Sequence, residues 1–261
     1  MKRTLTTLSP DTLPSSIRPF VRGASVYDSS CSPEARVFFL DRDGGYFLKC
    51  APKDTLRTEG ELTAWFHKKG LSAEVLAYES GERDWLLTRR IPGEDCIHPA
   101  YLDDPRRLCD TTAELLRTLH ETDVSGCPVP DRTKGYLEAA ERGYRAGRFD
   151  SRLFPDHWAF PSPKEAWEAV SQNARYLKAD TLLHGDYCLP NILLEDWAFR
   201  GFIDVGNGGV GDRHIDLFWG VWTLFYNLKT DRYADRFLDA YGRKDVEPEL
   251  FRVIAAMESF G

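Results

Sequence analysis

Two carboxylates and an amide, Asp186, Asn191 and Asp204, have the types and the spacing to do chemistry together. They stand in Leu182-Leu-His-Gly-Asp-Tyr-Cys-Leu-Pro-Asn-Ile-Leu-Leu194 and, further on, Gly201-Phe-Ile-Asp-Val-Gly206. His184-Gly185-Asp186 follows a short apolar run, so Asp186 is expected on a loop at a strand end. Ile192-Leu-Leu194 and Phe199 to Ile203 read as two strands around a Glu195-Asp196 turn. Paired antiparallel, they let Asn191 enter the hairpin where Asp204 leaves it, with both oxygens toward one open end. One amide and one carboxylate there suit a hard divalent cation such as Mg²⁺, which takes oxygen ligands and keeps waters and phosphates for the rest. Asp186 is placed to orient a hydroxyl and accept its proton, which is the layout of phosphoryl transfer. A Cys–His nucleophile pair from Cys188 and His184 is the competing reading. It lacks an orienting third group and an oxyanion element.

The elements that must position these residues change character along the chain. Arg36-Val-Phe-Phe-Leu40 and Tyr46-Phe-Leu-Lys-Cys50 flank Asp41-Arg-Asp-Gly-Gly45, a strand–turn–strand signal. A helix is expected over roughly Asp54 to Lys69, closed by Gly70. A third strand is expected through Trp85-Leu-Leu-Thr88, and Ile91-Pro-Gly93 reads as a linker. Beyond it Asp104-Pro105 starts a helix whose buried face is marked by Leu108, Leu115, Leu116 and Leu119. Further helices run to about Lys178, a compact β segment spans Thr181 to Asp204, and helices fill Asp212 to Gly261. The division is 1–92 for a small β-rich lobe and 93–261 for a larger helical lobe, an α/β (α+β) arrangement of two lobes.

The small lobe supplies a separate check. Lys49 ends an alternating strand, and on the helix that follows Leu56, Glu59, Leu62 and Phe66 share one stripe. A glutamate on a buried stripe needs a partner, and Lys49 is the natural one. A solvated Lys49 with Glu59 at the rim is the alternative.

The spacing from Asp186 to Asn191 equals that of the protein-kinase catalytic loop, and Asp204-Val-Gly206 sits where the kinase Asp-x-Gly belongs. HGDYCLPNILL followed by GFIDVGNGGVGDRHIDL resembles, more closely, the signature of the aminoglycoside 3'-phosphotransferases, HGDxCLPNI and FIDxGRxGxADRxxDI. The resemblance extends weakly over nearly the whole chain, including Leu116-Arg-Thr-Leu-His120 and Ala234-Asp-Arg-Phe-Leu238. It implies a protein-kinase-like fold and transfer of the ATP γ-phosphate, with Mg²⁺, to a hydroxyl of an aminoglycoside, the 3'-hydroxyl. By resemblance Asp186 is the catalytic base, Asn191 and Asp204 are metal ligands, and His184 and Asp216 support the loop. Lys49 with Glu59 would hold the α- and β-phosphates. Ser32 matches the serine of the family's nucleotide loop, although the stretch Ser29 to Val37 could be any turn. The adenine is expected against the backbone from Thr88 through Ile91 to Pro92. Glu165, Asp231, Asp235 and Glu258 lie in regions from which the family draws carboxylates for its polyamine substrate. Two departures stand out: Asn207 where the family has Arg after Asp-x-Gly, and a chain end of Glu258-Ser-Phe-Gly261, one residue past the Phe.

Composition narrows the setting. A net charge of −7 argues against general nucleic-acid binding. The start lacks the apolar stretch of a signal peptide, and Leu217 to Leu228 is too short to cross a bilayer. The six cysteines show neither CxxC pairing nor metal-ligand spacing, so reduced thiols are expected. These features point to a cytoplasmic protein with no nucleic-acid and no membrane partner and leave the oligomeric state open; the small, cationic aminosugar partner is what the resemblance implies. A kinase of another small hydroxylated molecule, such as an amino alcohol, a sugar or a macrolide, is the nearer alternative. A catalytically silent nucleotide-binding relative is the other. A protein kinase fits less well, because the chain has His-Gly-Asp instead of His-Arg-Asp and lacks a downstream Ala-Pro-Glu.

Overall fold

Alternation of apolar and polar residues builds the first part of the chain. A computed structural model describes residues 3–31, 33–152, 154–155 and 158–261. β1 (Thr4–Thr6) and a single helical turn, α1 (Arg18–Val21), lead into β2 (Ser25–Asp28), β3 (Arg36–Asp41) and β4 (Tyr46–Pro52). The turn expected between β3 and β4 forms, with Gly45 N donating to Arg42 O at 2.8 Å. α2 (Arg57–Lys68), β5 (Val75–Ser80), β6 (Arg83–Arg89) and the short β7 (Glu94–Asp95) follow. Among the described residues six strands pair in the order β1-β2-β3-β4-β6-β5, antiparallel throughout. In β4 the residues Tyr46, Leu48 and Cys50 enter a core with Ile17, Val21, Val26, Phe38, Leu40 and Leu87. Lys49 points to the other face, where α2 buries Leu62 and Phe66.

α2 begins three residues later than the sequence pattern predicts. Asp54 takes a left-handed φ of 64°, which helical backbone cannot continue. Leu56 becomes the N-cap, and its N–H donates to the carboxylate of Asp84 at 2.9 Å. Asp84 thereby supplies from another strand the cap that Leu56 lacks. The strands β1, β2 and β5 were not legible as strands in the sequence.

The remainder is mainly helical. α3 (Pro99–Leu102), α4 (Pro105–His120), α5 (Arg132–Arg145) and α6 (Pro163–Asn173) precede β8 (Thr181–Leu183). β9 (Ile192–Glu195) and β10 (Ala198–Phe202) form the expected hairpin, with Ile192 opposite Phe202. β11 (Gly209–Gly211), α7 (His214–Leu228), α8 (Ala234–Tyr241) and α9 (Pro248–Glu258) complete the chain. Caps explain the helix starts: Asp104 accepts from Arg107 N, Asp131 from Lys134 N, and Ser162 from Glu165 N. Leu108, Leu116 and Leu119 are buried as the heptad-like spacing requires, joined by Cys109, Thr112 and Ala113, while Leu115 is only half-buried.

Internal contacts divide the chain into two units, 1–95 with 192–206 and 96–191 with 207–261. The sequence pattern had kept the β9–β10 hairpin with the helical half. It groups with the first unit because β9 pairs with β7, and because Phe202 N donates to Leu71 O at 2.7 Å. In the second unit β11 pairs with β8, and Tyr187, Phe218, Phe237, Tyr241 and Phe260 are buried side chains of the helical core.

Candidate active site

Within the first unit, β4 and α2 bring Lys49 and Glu59 together. The Lys49 ammonium lies 2.9 Å from both carboxylate oxygens of Glu59 and 3.2 Å from Asp204 Oδ1. Burial pulls the lysine pKa down, but the charges of Asp204 and Glu59 outweigh it and hold the group above its ordinary value. Burial pushes the Glu59 carboxyl up, and Lys49 offsets only part of that rise. Lys49 therefore remains an ammonium at neutral pH. Asp204 follows β10 with a left-handed φ of 55° and an exposed side chain. An aspartate tolerates that backbone, and it turns the carboxylate toward Lys49.

In the second unit the loop after β8 holds Asp186. Asp216, fully buried on α7, accepts His184 N at 2.7 Å and Gly185 N at 2.8 Å. Its remaining partner is His120 Nε2 at 3.3 Å, itself tied to the Tyr241 hydroxyl. Gly185 takes a φ of 82°, and a Cβ there would lie 1.8 Å from the carbonyl oxygen of Asn207. Only glycine fits. Asn191 directs its amide nitrogen at Asp186, 3.0 Å from the carbonyl and 2.9 Å from the carboxylate. That commits both amide hydrogens and leaves Oδ1 as the acceptor of Asn191. Burial pushes the Cys188 thiol far above its usual range, with Asp186 adding to the rise, so a thiolate nucleophile does not form here.

The remaining predicted residues fall in different settings. Thr88 is half-buried in β6 opposite Phe47 and Val75, and Ile91 packs against Gly201. Ser32 lies outside the described residues. Glu258 is half-buried near the end of α9, where it accepts a hydrogen bond from Trp219 Nε1 at 3.2 Å. Burial pushes its carboxyl up to about 7; the Trp219 bond opposes this, and the nearby charge of Asp186 adds to it. Glu258 is thus the acid of that group which the fold brings within the field of Asp186. Glu165 is exposed in the first turn of α6, bonded to its own capping Ser162. Asp235 is exposed and paired with Arg243 at 2.9 Å. Asp231 borders a cavity of about 20 Å³ lined by Trp158, Val221, Phe225 and Tyr233, room for about one water. Asn207 is exposed through its side chain, while its carbonyl packs on Gly185. Sequence reasoning missed Asp84, whose buried carboxylate fixes the start of the helix carrying Glu59. An aspartate inside an otherwise apolar strand, Asp84-Trp-Leu-Leu87, was the available signal.

Comparison of the whole chain with known proteins points to one group of enzymes. Residues 29–253 match the model of the phosphotransferase enzyme family. The chain belongs to this family. It is 45% identical over 250 residues to a probable aminoglycoside 3'-phosphotransferase of Lactococcus lactis, covering 95% of each chain. The crystal structure of a type VIII aminoglycoside-3'-phosphotransferase superposes with a TM-score of 0.73 at 25% identity, covering 95% of this chain and 100% of that one. An aminoglycoside phosphotransferase from Streptomyces rimosus, solved in complex with ADP and streptomycin, has the same fold. Its TM-score is 0.69 at 23% identity, with 87% of this chain and 91% of that one covered. The family's kinase-like fold, an N-terminal antiparallel sheet followed by a largely helical region, is the one found here. This phosphotransferase is therefore an enzyme that moves phosphate onto a hydroxyl. Among its described residues no helix is long and apolar enough to cross a membrane. Its six cysteines stand outside any disulfide, with Cys50, Cys96 and Cys109 buried.

Proposed function

We propose that the enzyme transfers the γ-phosphate of ATP to a hydroxyl of an aminoglycoside, by likeness the 3'-hydroxyl, in the cytoplasm and with Mg²⁺. The observation that carries the transfer chemistry is the Asp186–Asn191 pair. Asn191 holds one carboxylate oxygen of Asp186 at 2.9 Å, which leaves the other to receive a proton from the acceptor hydroxyl. The acceptor class rests on likeness to the Lactococcus relative at 45% identity. Glu258, a carboxylate within the field of Asp186, supports a cationic acceptor.

Lys49, kept charged by Glu59 and Asp204, would hold the α- and β-phosphates as a point charge. By resemblance to the family, Asn191 Oδ1 and the exposed carboxylate of Asp204 would be the ligands of magnesium, and each is by itself a hard oxygen of the kind that ion takes. When bound, the ion would neutralise phosphate charge; Asp186 orients the hydroxyl and holds its proton. The backbone from Thr88 to Ile91 would receive the adenine, and Ser32 a phosphate. Glu165, Asp231 and Asp235 remain candidates for the outer amines of the acceptor.

A kinase of another hydroxylated small molecule is the second reading, favoured by Asn207, which puts a neutral side chain where the related enzymes carry a cation. The test is Mg²⁺-dependent ADP release with kanamycin, neomycin, choline and a macrolide in parallel. Turnover with kanamycin or neomycin alone is expected, falling at least 100-fold in Asp186→Asn. Turnover only with another acceptor selects the second reading. Wild-type rates no higher than those of Asp186→Asn end the catalytic reading.

A further inference from the structure

The loop that carries Asp186 has one peptide that glycine leaves loose. Gly185 at a φ of 82° precedes the base, and rotating the peptide between Gly185 and Asp186 would swing the aspartate side chain at little backbone cost. The N–H groups of His184 and Gly185 are spent on Asp216, the N–H of Asp186 makes a long 3.3 Å bond to His184 Nδ1, and the carbonyl of Asp186 accepts from Asn191 and Cys188. The carbonyl of that loose peptide, Gly185 O, accepts the hydroxyl of Tyr136 on α5. One helical turn earlier Arg132 donates from Nε to Gly208 O at 2.8 Å, and residues four apart share a helix face. Gly208 follows Asn207, whose carbonyl packs on Gly185. Between them Thr133 donates to Lys178 O and accepts from Asp212 N. The first turns of α5 thus tie down both the Gly185 carbonyl and the segment packed against Gly185.

We propose that Tyr136 and Arg132 are positioning residues for Asp186: Tyr136 locks the Gly185–Asp186 peptide, and Arg132 locks the segment packed against it. Tyr136 acts as a fixed donor and takes no part in proton transfer. Burial raises its hydroxyl pKa well above normal, and the neighbouring Glu258, Asp216 and Asp186 carboxylates raise it further. Removing the hydroxyl leaves Gly185 O without its donor, and the peptide gains freedom to turn. Misplacing the base by a fraction of an ångström lowers the rate without weakening nucleotide binding. The catalytic part of this inference rests on the proposed phosphotransfer, with Asp186 as its base.

The experiment uses full-length Tyr136→Phe and Arg132→Gln and reads two things. Steady-state kinetics with kanamycin should give a kcat lower by about tenfold or more in Tyr136→Phe, with the KM for ATP within about twofold of wild type. Arg132→Gln should lower kcat in the same pattern, and the double variant should lose less than the product of the two. Hydrogen exchange should show the peptide covering residues 184–188 exchanging at least about threefold faster in Tyr136→Phe, with α7 protection unchanged. A kcat within twofold of wild type in Tyr136→Phe overturns the positioning role, whether or not exchange accelerates. So does a rate loss accompanied by general loss of protection, because that is unfolding. If the wild type turns over no acceptor, the proposed function fails separately. Exchange at 184–188 then judges the lock by itself, and an unchanged rate there overturns it.

Discussion

Lys49 has two carboxylates within 3.2 Å, and the two have different uses. Glu59 is the more buried partner and orients the ammonium; Asp204 is exposed and available to a ligand. Lys49→Ala should raise the KM for ATP by an order of magnitude or more, and leave Glu59 buried without its cation. Steady-state kinetics checks the first effect and urea unfolding the second, with a destabilisation of about 1–3 kcal/mol expected. Glu258 sets a pH dependence. Its folded pKa, about 7, lies above the ordinary 4.5 of a glutamate, so the fold favours the protonated form. The stability this contributes is fully present below the unfolded pKa and is lost as pH rises through 7. Capture of an amine needs the ionised form and follows the opposite sign. The KM for an aminoglycoside should therefore fall between pH 6 and pH 8, and Glu258→Gln should flatten that profile, read from initial rates across the range.

Elements position these side chains through partners both near and far in the chain. Asp84 is fully buried in β6, yet it accepts from Ser80, Tyr78 and the Leu56 N–H. Burial alone would raise its pKa, but those hydrogen bonds win and hold it at about 2, below its usual 3.8. The stability this supplies is present above the unfolded pKa and is lost as pH falls through about 2. Asp84→Ala should destabilise the protein by about 1–3 kcal/mol, measured by urea unfolding at neutral pH. It should also raise the KM for ATP, since the cap it removes belongs to the helix that carries Glu59. The hairpin of β9 and β10 was legible, because apolar runs on either side of a polar turn are local signals. The pairing of β11 with β8 was not, because Gly209-Val-Gly211 has no side-chain alternation to read.

Over the whole molecule, ligand binding and folding are linked by mass action. Mg²⁺ with ATP at about 100 times its Kd should stabilise the protein by roughly 2.7 kcal/mol, seen as an upward shift in thermal unfolding. Asp204→Ala should lower the ligand-free melting temperature modestly, because alanine resists the left-handed backbone and Lys49 loses one of its two carboxylates. It should in addition lose the part of the shift that depends on Mg²⁺. An equal Mg²⁺-dependent shift in the variant would remove Asp204 from the set of metal ligands.

The amino-acid sequence by itself singled out Asp186, Asn191 and Asp204 as the candidate residues for chemistry, and gave the Lys49–Glu59 pairing and the order of β-rich and helical parts. Each is written in short-range spacing: a four-residue gap, a helical stripe, an alternating strand. Tertiary structure alone decided that residues 192–206 group with the first unit, that Asp235 is taken up by Arg243 while Glu258 meets Trp219, and that Asp84 and Tyr136 hold the elements behind the candidate catalytic groups. Apart from Asp235 with Arg243, eight positions on, these contacts join residues tens of positions apart. A buried polar atom bonds whichever partner the packed chain brings within reach, and no periodicity in the sequence records which one that will be.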